Sequence, residues 1–460
     1  MKKVMNGVEV AAGLGLLAVG FLQACSLTFG RPIISFVLWP MLALAAAVLL
    51  YRVIRFRHYT RTRLLWLMLA FCLSGLISTA LNLRYGWYNN VRTIVLQAIF
   101  FFVVYAYDDE ETMAAREEKT RIYAAFYLAA CFLMSAVSFG YMIAGEGQIF
   151  RPETGPVYYT GFFWGRLFGI YWDPNIGALM CCVSAVLALG WFFRTRSRWS
   201  RIVMVAVILM DVAYIAFSDS RTGRVCLAAG AAAFTLLYLA GRKKAGTVLL
   251  GVILALGVSI ALPQAVQSGY NAVRTAETVQ STPDPKSTPE PESTPEPEAT
   301  PKATIGREED YHTDISNRRF AIWGSALEIF RLRPVFGIGH NNVLAFADRE
   351  LPETYLVNND HMRFDSMHNT FFDVLVGQGA VGLLIYLAMG VTAAVCFIRN
   401  GRRIRERTDP LGASGLTVVI MVIAAGCFIS EIVYVVSPMA FMFWRSAGTI
   451  MMAATRENVD

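Results

Sequence analysis

Long apolar runs, each about 17 to 25 residues, alternate with short polar connections along almost the whole chain, and a run of that length crosses a hydrocarbon core of roughly 30 Å as a helix. About twelve such runs can be drawn, at 8–27, 33–51, 64–82, 91–107, 122–144, 168–193, 202–218, 224–241, 246–262, 380–398, 412–434 and 438–454. The pattern therefore predicts an all-α polytopic membrane protein with about twelve transmembrane helices and one large polar loop late in the chain. The first run is expected to stay as a helix, because no small-residue cleavage site follows it and a second run begins at once.

The polar connections organise the rest. Residues 1–262 carry spans one to nine, 263–313 a Thr/Pro/Glu-rich spacer, 314–379 a loop with short helices, and 380–460 the last three spans. Within the spacer, STPDPK, STPEPE, STPEPE and ATPKAT follow one another from Ser281 to Thr304. Prolines at this density remove backbone donors and favour an extended polyproline II form. After it, Phe320, Trp323, Leu327 and Phe330 recur at helical spacing between Asp314 and Arg331, which predicts an amphipathic helix ended by Arg333-Pro334. Gly337 and Gly339 predict a turn, and His368 to Val376 a further short helix before the break of Gly377, Gly379 and Gly382.

Composition agrees with this picture and narrows it. Hydrophobic residues make up 55% of the 460 and charged residues 16%, with a mean hydropathy of +0.46, which excludes a soluble globular domain. Basic clusters at Lys2 and Lys3, Arg52 to Arg63, Arg116 to Arg121, Arg194 to Arg201, Arg242 to Lys244 and Arg399 to Arg407 fall on alternate connections. Basic connections stay in the cytoplasm, so both termini are expected inside and the large loop outside. The net charge of +7 then reflects orientation, and nucleic acid is not expected as a partner. The eight cysteines fall in or beside apolar runs and read as small core residues with no CxxC pair.

Candidate chemistry concentrates in the polar stretch from Asn317 to Gly382. His368 precedes Asn369 and the apolar Phe371, Phe372, Leu375 and Val376, which would hold an imidazole at the outer surface, where its neutral form can accept a hydroxyl proton. The alternative is a structural histidine. His312, His340 and His361 share the loop without so ordered a flank. Arg221, in SDSRTGR at the outer ends of two spans, requires an anion; this is either a carboxylate such as Asp219 or a phosphate-bearing ligand gripped by the guanidinium fork. Arg319, beside Arg318, and Arg166, in GRLFGIYWDPN, are further outward cations, with lipid headgroups as their competing use. Asp173-Pro174-Asn175 reads as a helix start, although Asn175 could also donate to a glycan. Glu431 and Arg445 read as a structural ion pair within the membrane. No acidic or histidine cluster, phosphate-binding glycine loop or serine elbow stands in an outer connection, so no metal or cofactor is expected.

Four of these motifs in order carry a resemblance: Arg166 to Asn175, Ser220-Arg221, Arg319 to Trp323 running into PVFGIG, and HNTFF followed by Gly379 and Gly382. In these the chain resembles the O-antigen ligase and Wzy-type polymerase superfamily of bacterial envelope glycosyltransferases. The resemblance implies a GT-C-like fold and a metal-independent, inverting transferase of the cytoplasmic membrane. Such an enzyme moves a glycan from undecaprenyl diphosphate to an acceptor hydroxyl on a glycan, lipid or wall polymer. It implies catalytic roles for His368, Arg221 and Arg319, and substrate contacts for Arg166, Asn175, Arg318 and Asn369. The spacer has no place in the family pattern, and Arg318 leaves the arginine assignment open by one residue. A transporter or flippase of lipid-linked oligosaccharide is the alternative, against which stands the lack of an internal repeat or of paired broken helices.

Overall fold

The computed structural model describes residues 2–150, 157–240, 242–280, 304–306, 318–359 and 362–455. Among them the chain forms fifteen α-helices and one three-stranded sheet. Eight helices are long and apolar enough to cross a membrane: α1 (Lys2–Ala24), α2 (Pro32–Ile54), α5 (Met113–Ala144), α6 (Pro174–Arg194), α7 (Arg198–Phe217), α8 (Arg221–Leu239), α9 (Ala245–Gln280) and α12 (Thr370–Arg399). Two shorter apolar helices, α3 (Leu65–Leu81) and α14 (Pro410–Ala425), occupy two more of the expected spans. The remaining two are α4 (Tyr88–Ile99), prolonged by a π-helical turn over Phe100–Tyr105, and α15 (Pro438–Thr455). The chain is a polytopic helical membrane protein.

Several boundaries differ from the hydropathy reading, each for a physical reason. The run beginning at 168 is strand before it is helix: β1 (Gln148–Phe150), β2 (Tyr158–Phe163) and β3 (Arg166–Gly169) form an antiparallel sheet, and α6 starts only at Pro174. Aromatic and apolar residues suit a half-buried strand as well as a span, so composition alone merges the two. Helix α9 continues past Leu262 to Gln280. The run 412–434 stays helical only to Ala425, and the segment 426–437 is irregular. The proline-rich hexads, except Thr304, lie outside the described residues, as do His312 and His361.

Two compact units divide the chain. The first contains 1–20, 35–124 and 314–460; the second contains 21–34 and 125–313. In the first unit a buried ionic knot joins four helices: the Glu9 carboxylate of α1 lies 3.4 Å from Arg52, 2.8 Å from Lys119 and 3.5 Å from Arg445. This corrects the expected pairing of Arg445 with Glu431, because Glu431 sits in the irregular 426–437 segment while α15 turns Arg445 towards α1 and α5. Charges this deep are tolerated only when paired and hydrogen-bonded.

The loop helices of the first unit, α10 (Arg319–Leu332) and α11 (Val343–Glu350), enclose a small core with Ile322, Ala326, Ile329, Ile338, Phe346 and Met367. The expected helix thus forms, but its buried face is Ile322, Ser325, Ala326 and Ile329. Phe320 and Leu327, from the expected stripe, are 71% and 43% exposed. Ile322 and Ile329 supply the apolar anchors of the buried face, Trp323 and Phe330 are half-buried beside it, and Phe320 and Leu327 are left outward.

Candidate functional site

In the second unit, the sheet delivers Arg166. Trp164 and Gly165 both have positive φ, 48° and 65°, the geometry of a two-residue hairpin turn. This turn sets Arg166 opposite Phe163 at the start of β3. Its Nε donates to the Ser218 carbonyl at 2.8 Å and its Nη2 to Asn175 Oδ1 at 2.9 Å. Arg166 and Asn175 are therefore brought together, as a brace between the end of α7 and the start of α6. Asp173 caps α6, accepting from the backbone N–H groups of Asn175 and Ile176 at 2.7 and 3.1 Å, with Pro174 in the first turn. A cap of this kind satisfies donors that a helix cannot pair internally.

Arg221 is the first residue of α8. Ser220 caps that helix, accepting from Gly223 N at 3.0 Å. Asp219, a candidate counter-ion of Arg221, bonds to Arg224 and to Gln267 Nε2. Arg221 itself is half-buried.

In the first unit, Arg318 is exposed, with φ 66°, and precedes α10. Arg319 opens the helix, and its Nε donates to the Phe428 carbonyl at 3.3 Å. Four residues on, Trp323 Nε1 donates to the Met367 carbonyl at 3.1 Å and its ring stacks on Phe372, centroids 5.5 Å apart. The R-x3-W spacing thereby fastens α10 to the residue before His368.

His368 is exposed and adopts φ 48°, a left-handed conformation costly for a residue with a Cβ. Its N–H donates to Ser366 Oγ at 3.2 Å, and its ring meets Phe364 edge-on at 6.0 Å. Asn369 caps α12: Oδ1 accepts from Phe371 N and Phe372 N at 2.9 and 3.3 Å, while Nδ2 donates to the Cys427 carbonyl at 2.8 Å. Its carboxamide is thus engaged at both ends within the protein. Beneath this turn lies Asp373, buried, accepting from Met367 N at 2.8 Å and from the Ser430 hydroxyl, with Ser366 Oγ 3.4 Å away.

The glycine motifs have a joint explanation. Gly379 breaks α12 with φ 65° and ψ −163°. The PVFGIG segment lies along the break, where Ile338 N and Gly339 N donate to the carbonyls of Val376 and Gly377 at 3.0 and 2.9 Å. Ala380 N and Val381 N donate back to Pro334 and Val335 at 2.8 and 3.1 Å. Backbone groups freed by a broken helix in an apolar setting must find partners, and this loop supplies them.

Sequence reasoning missed Asp373, Ser366 and Ser430, and the whole 426–430 segment. An acidic residue in the first turn of a helix was the only available signal for Asp373. His340 does not face the site as a base: its ring stacks on Tyr434 at 4.3 Å, and burial pushes its pKa down to about 4. Two groups among the described residues have metal-ligand spacing, Cys131 with Cys181 and Asp211, and His58 with Asp109 and Glu110. Neither includes a residue of the two constellations above.

No curated protein matches the chain. Residues 208–387 match the family model described as O-antigen ligase, a stretch that includes Arg221, Arg319 and His368 and stops short of Arg166 and Asn175. With its spans and its late loop the chain is a multi-pass membrane protein, and the matched stretch supports its resemblance to the O-antigen ligase and Wzy-type superfamily.

Proposed function

We propose that the protein transfers a glycan from undecaprenyl diphosphate to an acceptor hydroxyl at the outer face of the cytoplasmic membrane, without a metal. The observation that carries this reading is that Arg319 and the His368 turn, both inside the stretch matched by the O-antigen ligase family, are fastened to one short segment at Cys427 and Phe428. In the proposed reaction the acceptor oxygen attacks the anomeric carbon as the bond to the diphosphate breaks, with inversion. Negative charge grows on the departing diphosphate, and fixed guanidinium groups stabilise it. Arg221 and Arg319 take that role, with Arg318 as a neighbouring contact. His368, exposed and at the mouth of the loop, orients the acceptor hydroxyl or takes its proton. Arg166 with Asn175, and Asn369, hold the surrounding backbone and offer secondary contacts.

The test is transfer by purified protein in nanodiscs from an undecaprenyl-diphosphate glycan in the presence of EDTA. Wild type is expected to extend the glycan or to load a supplied lipid or wall acceptor, while His368→Ala and Arg221→Ala lose about 100-fold or more in kcat and still fold. Activity abolished by EDTA would overturn the metal-free mechanism. Full activity in His368→Ala, together with movement of the intact lipid-linked glycan across the bilayer, would shift the reading to a transporter.

A further inference from the structure

Four successive residues after α14 each hold one group of the first-unit constellation. The Cys427 carbonyl accepts from Asn369 Nδ2 at 2.8 Å, the Phe428 carbonyl from Arg319 Nε at 3.3 Å and the Ile429 carbonyl from Thr370 Oγ1 at 3.1 Å. Ser430 donates its hydroxyl to Asp373. Just before them, the Gly426 carbonyl accepts from Thr370 N at 2.8 Å. Had the helix continued, as the apolar sequence would allow, these carbonyls would have bonded to N–H groups four residues on. They have instead been released to side chains from two other elements. Released carbonyls in an apolar setting must be satisfied, so Arg319, Asn369 and Thr370 are drawn to this segment.

The hydroxyls give the connection a direction. His368 N–H donates to Ser366 Oγ; Ser366 and Ser430 lie 2.8 Å apart, and Ser430 donates to Asp373. With the Ser366 hydrogen on Ser430, this is a continuous chain of donors ending at a carboxylate, which also accepts from Met367 N. One buried acceptor thereby holds two consecutive residues of the turn that keeps His368 in its left-handed conformation. The far end of the segment is pinned as well, by Tyr434 N on Gln97 Oε1 and by Trp444 Nε1 on the Ile432 carbonyl, both at 2.9 Å.

We propose that the 426–430 segment is a positioning strap that fixes Arg319 and the His368 turn in register, latched by Ser430 and Asp373. The assignment rests on the transferase reading above. The latch residues do not touch substrate; they act through His368 and Arg319. Loosening a catalytic group by about 1 Å can cost on the order of 100-fold in rate while leaving ground-state binding in place.

The experiment compares Ser430→Ala, Ser430→Thr, Asp373→Ala and the double variant Asp373→Ala/Ser430→Ala in the nanodisc transfer assay, with Cys427 as an internal reporter. Ser430→Ala and Asp373→Ala are expected to lower kcat about 10- to 100-fold with donor KM held within about twofold. Ser430→Thr, which keeps the hydroxyl, should recover most of the loss, and the double variant should be no worse than Asp373→Ala alone. Independently of activity, maleimide labelling of the Cys427 peptide, followed by mass spectrometry, should quicken in both alanine variants and stay at the wild-type rate in Ser430→Thr. Wild-type kcat in both alanine variants, or an unchanged Cys427 rate, overturns the strap. Faster labelling in a protein whose wild type transfers nothing supports the strap and instead removes the transferase reading. Should Asp373→Ala fail to fold, the Ser430 pair alone decides.

Discussion

The two ordered histidines of the loop are set to opposite tasks by where their rings lie. His368 is exposed on a strained turn, whereas His340 stacks on Tyr434 and is held neutral by burial, its pKa down at about 4. An unfolded chain returns His340 to about 6.5. Between those values the unfolded state carries the extra proton, so the contribution of His340 to stability falls as pH drops from about 6.5 to about 4 and is gone below that. The size is at most on the order of 3 kcal/mol. His340→Asn should flatten the pH dependence of thermal unfolding across this window, measured in detergent. An unaltered slope would mean that the ring is protonated within the fold. Both histidines share the loop with His312 and His361, and only a flanking helix start singles out His368 in sequence. The acidic group beneath its turn, Asp373, could not be read as its support, because that role depends on Ser430, far off in the chain.

Elements were legible where a single rule governs them and illegible where distant side chains do. The apolar runs marked helices, since a spanning backbone must satisfy itself; Pro174 after Asp173 marked the start of α6, and Arg333-Pro334 the end of α10. The strap at 426–430 was read as part of a span, because its residues are as apolar as those of α14 and its carbonyl partners come from Arg319, Asn369 and Thr370. Strand β3 was absorbed into α6 for a similar reason. The break in α12 was foreseen from Gly377, Gly379 and Gly382, but its partner was not. A Cβ at Gly379 would come within 2.5 Å of the Val335 carbonyl carbon and 2.7 Å of Gly337 N, at a φ that side chains avoid. Gly379→Ala should therefore cost at least ~2 kcal/mol and lower the melting temperature of the purified protein, whereas Gly390→Ala on the same helix, with nothing within 4 Å, should not. Equal stability of the two would show that PVFGIG can move away without loss.

For the whole molecule, the reaction depends on which side of the membrane the constellations occupy. The basic connections follow α2, α4, α6, α8 and α12, the last carrying Arg402, Arg403, Arg405 and Arg407 on the short helix α13 (Gly401–Arg407) directly after Arg399 at the end of α12. The residues proposed for chemistry fall on the alternate set: Arg166 before α6 and Asn175 in its first turn, Arg221 at the start of α8, Arg319 and His368 between α9 and α12, and the strap between α14 and α15. Lysine and arginine resist translocation, so the first set is expected to stay inside and the second to emerge outside. Two constellations in different units share this parity, and a lipid diphosphate with its sugar in the outer headgroup layer could meet only residues of that second set. Alkaline phosphatase fused after Gln280 should be active, and a green fluorescent protein fused after Arg242 or Arg407 should fluoresce. The reverse pattern would place His368 and the arginines in the cytoplasm, where an extracytoplasmic donor could not reach them.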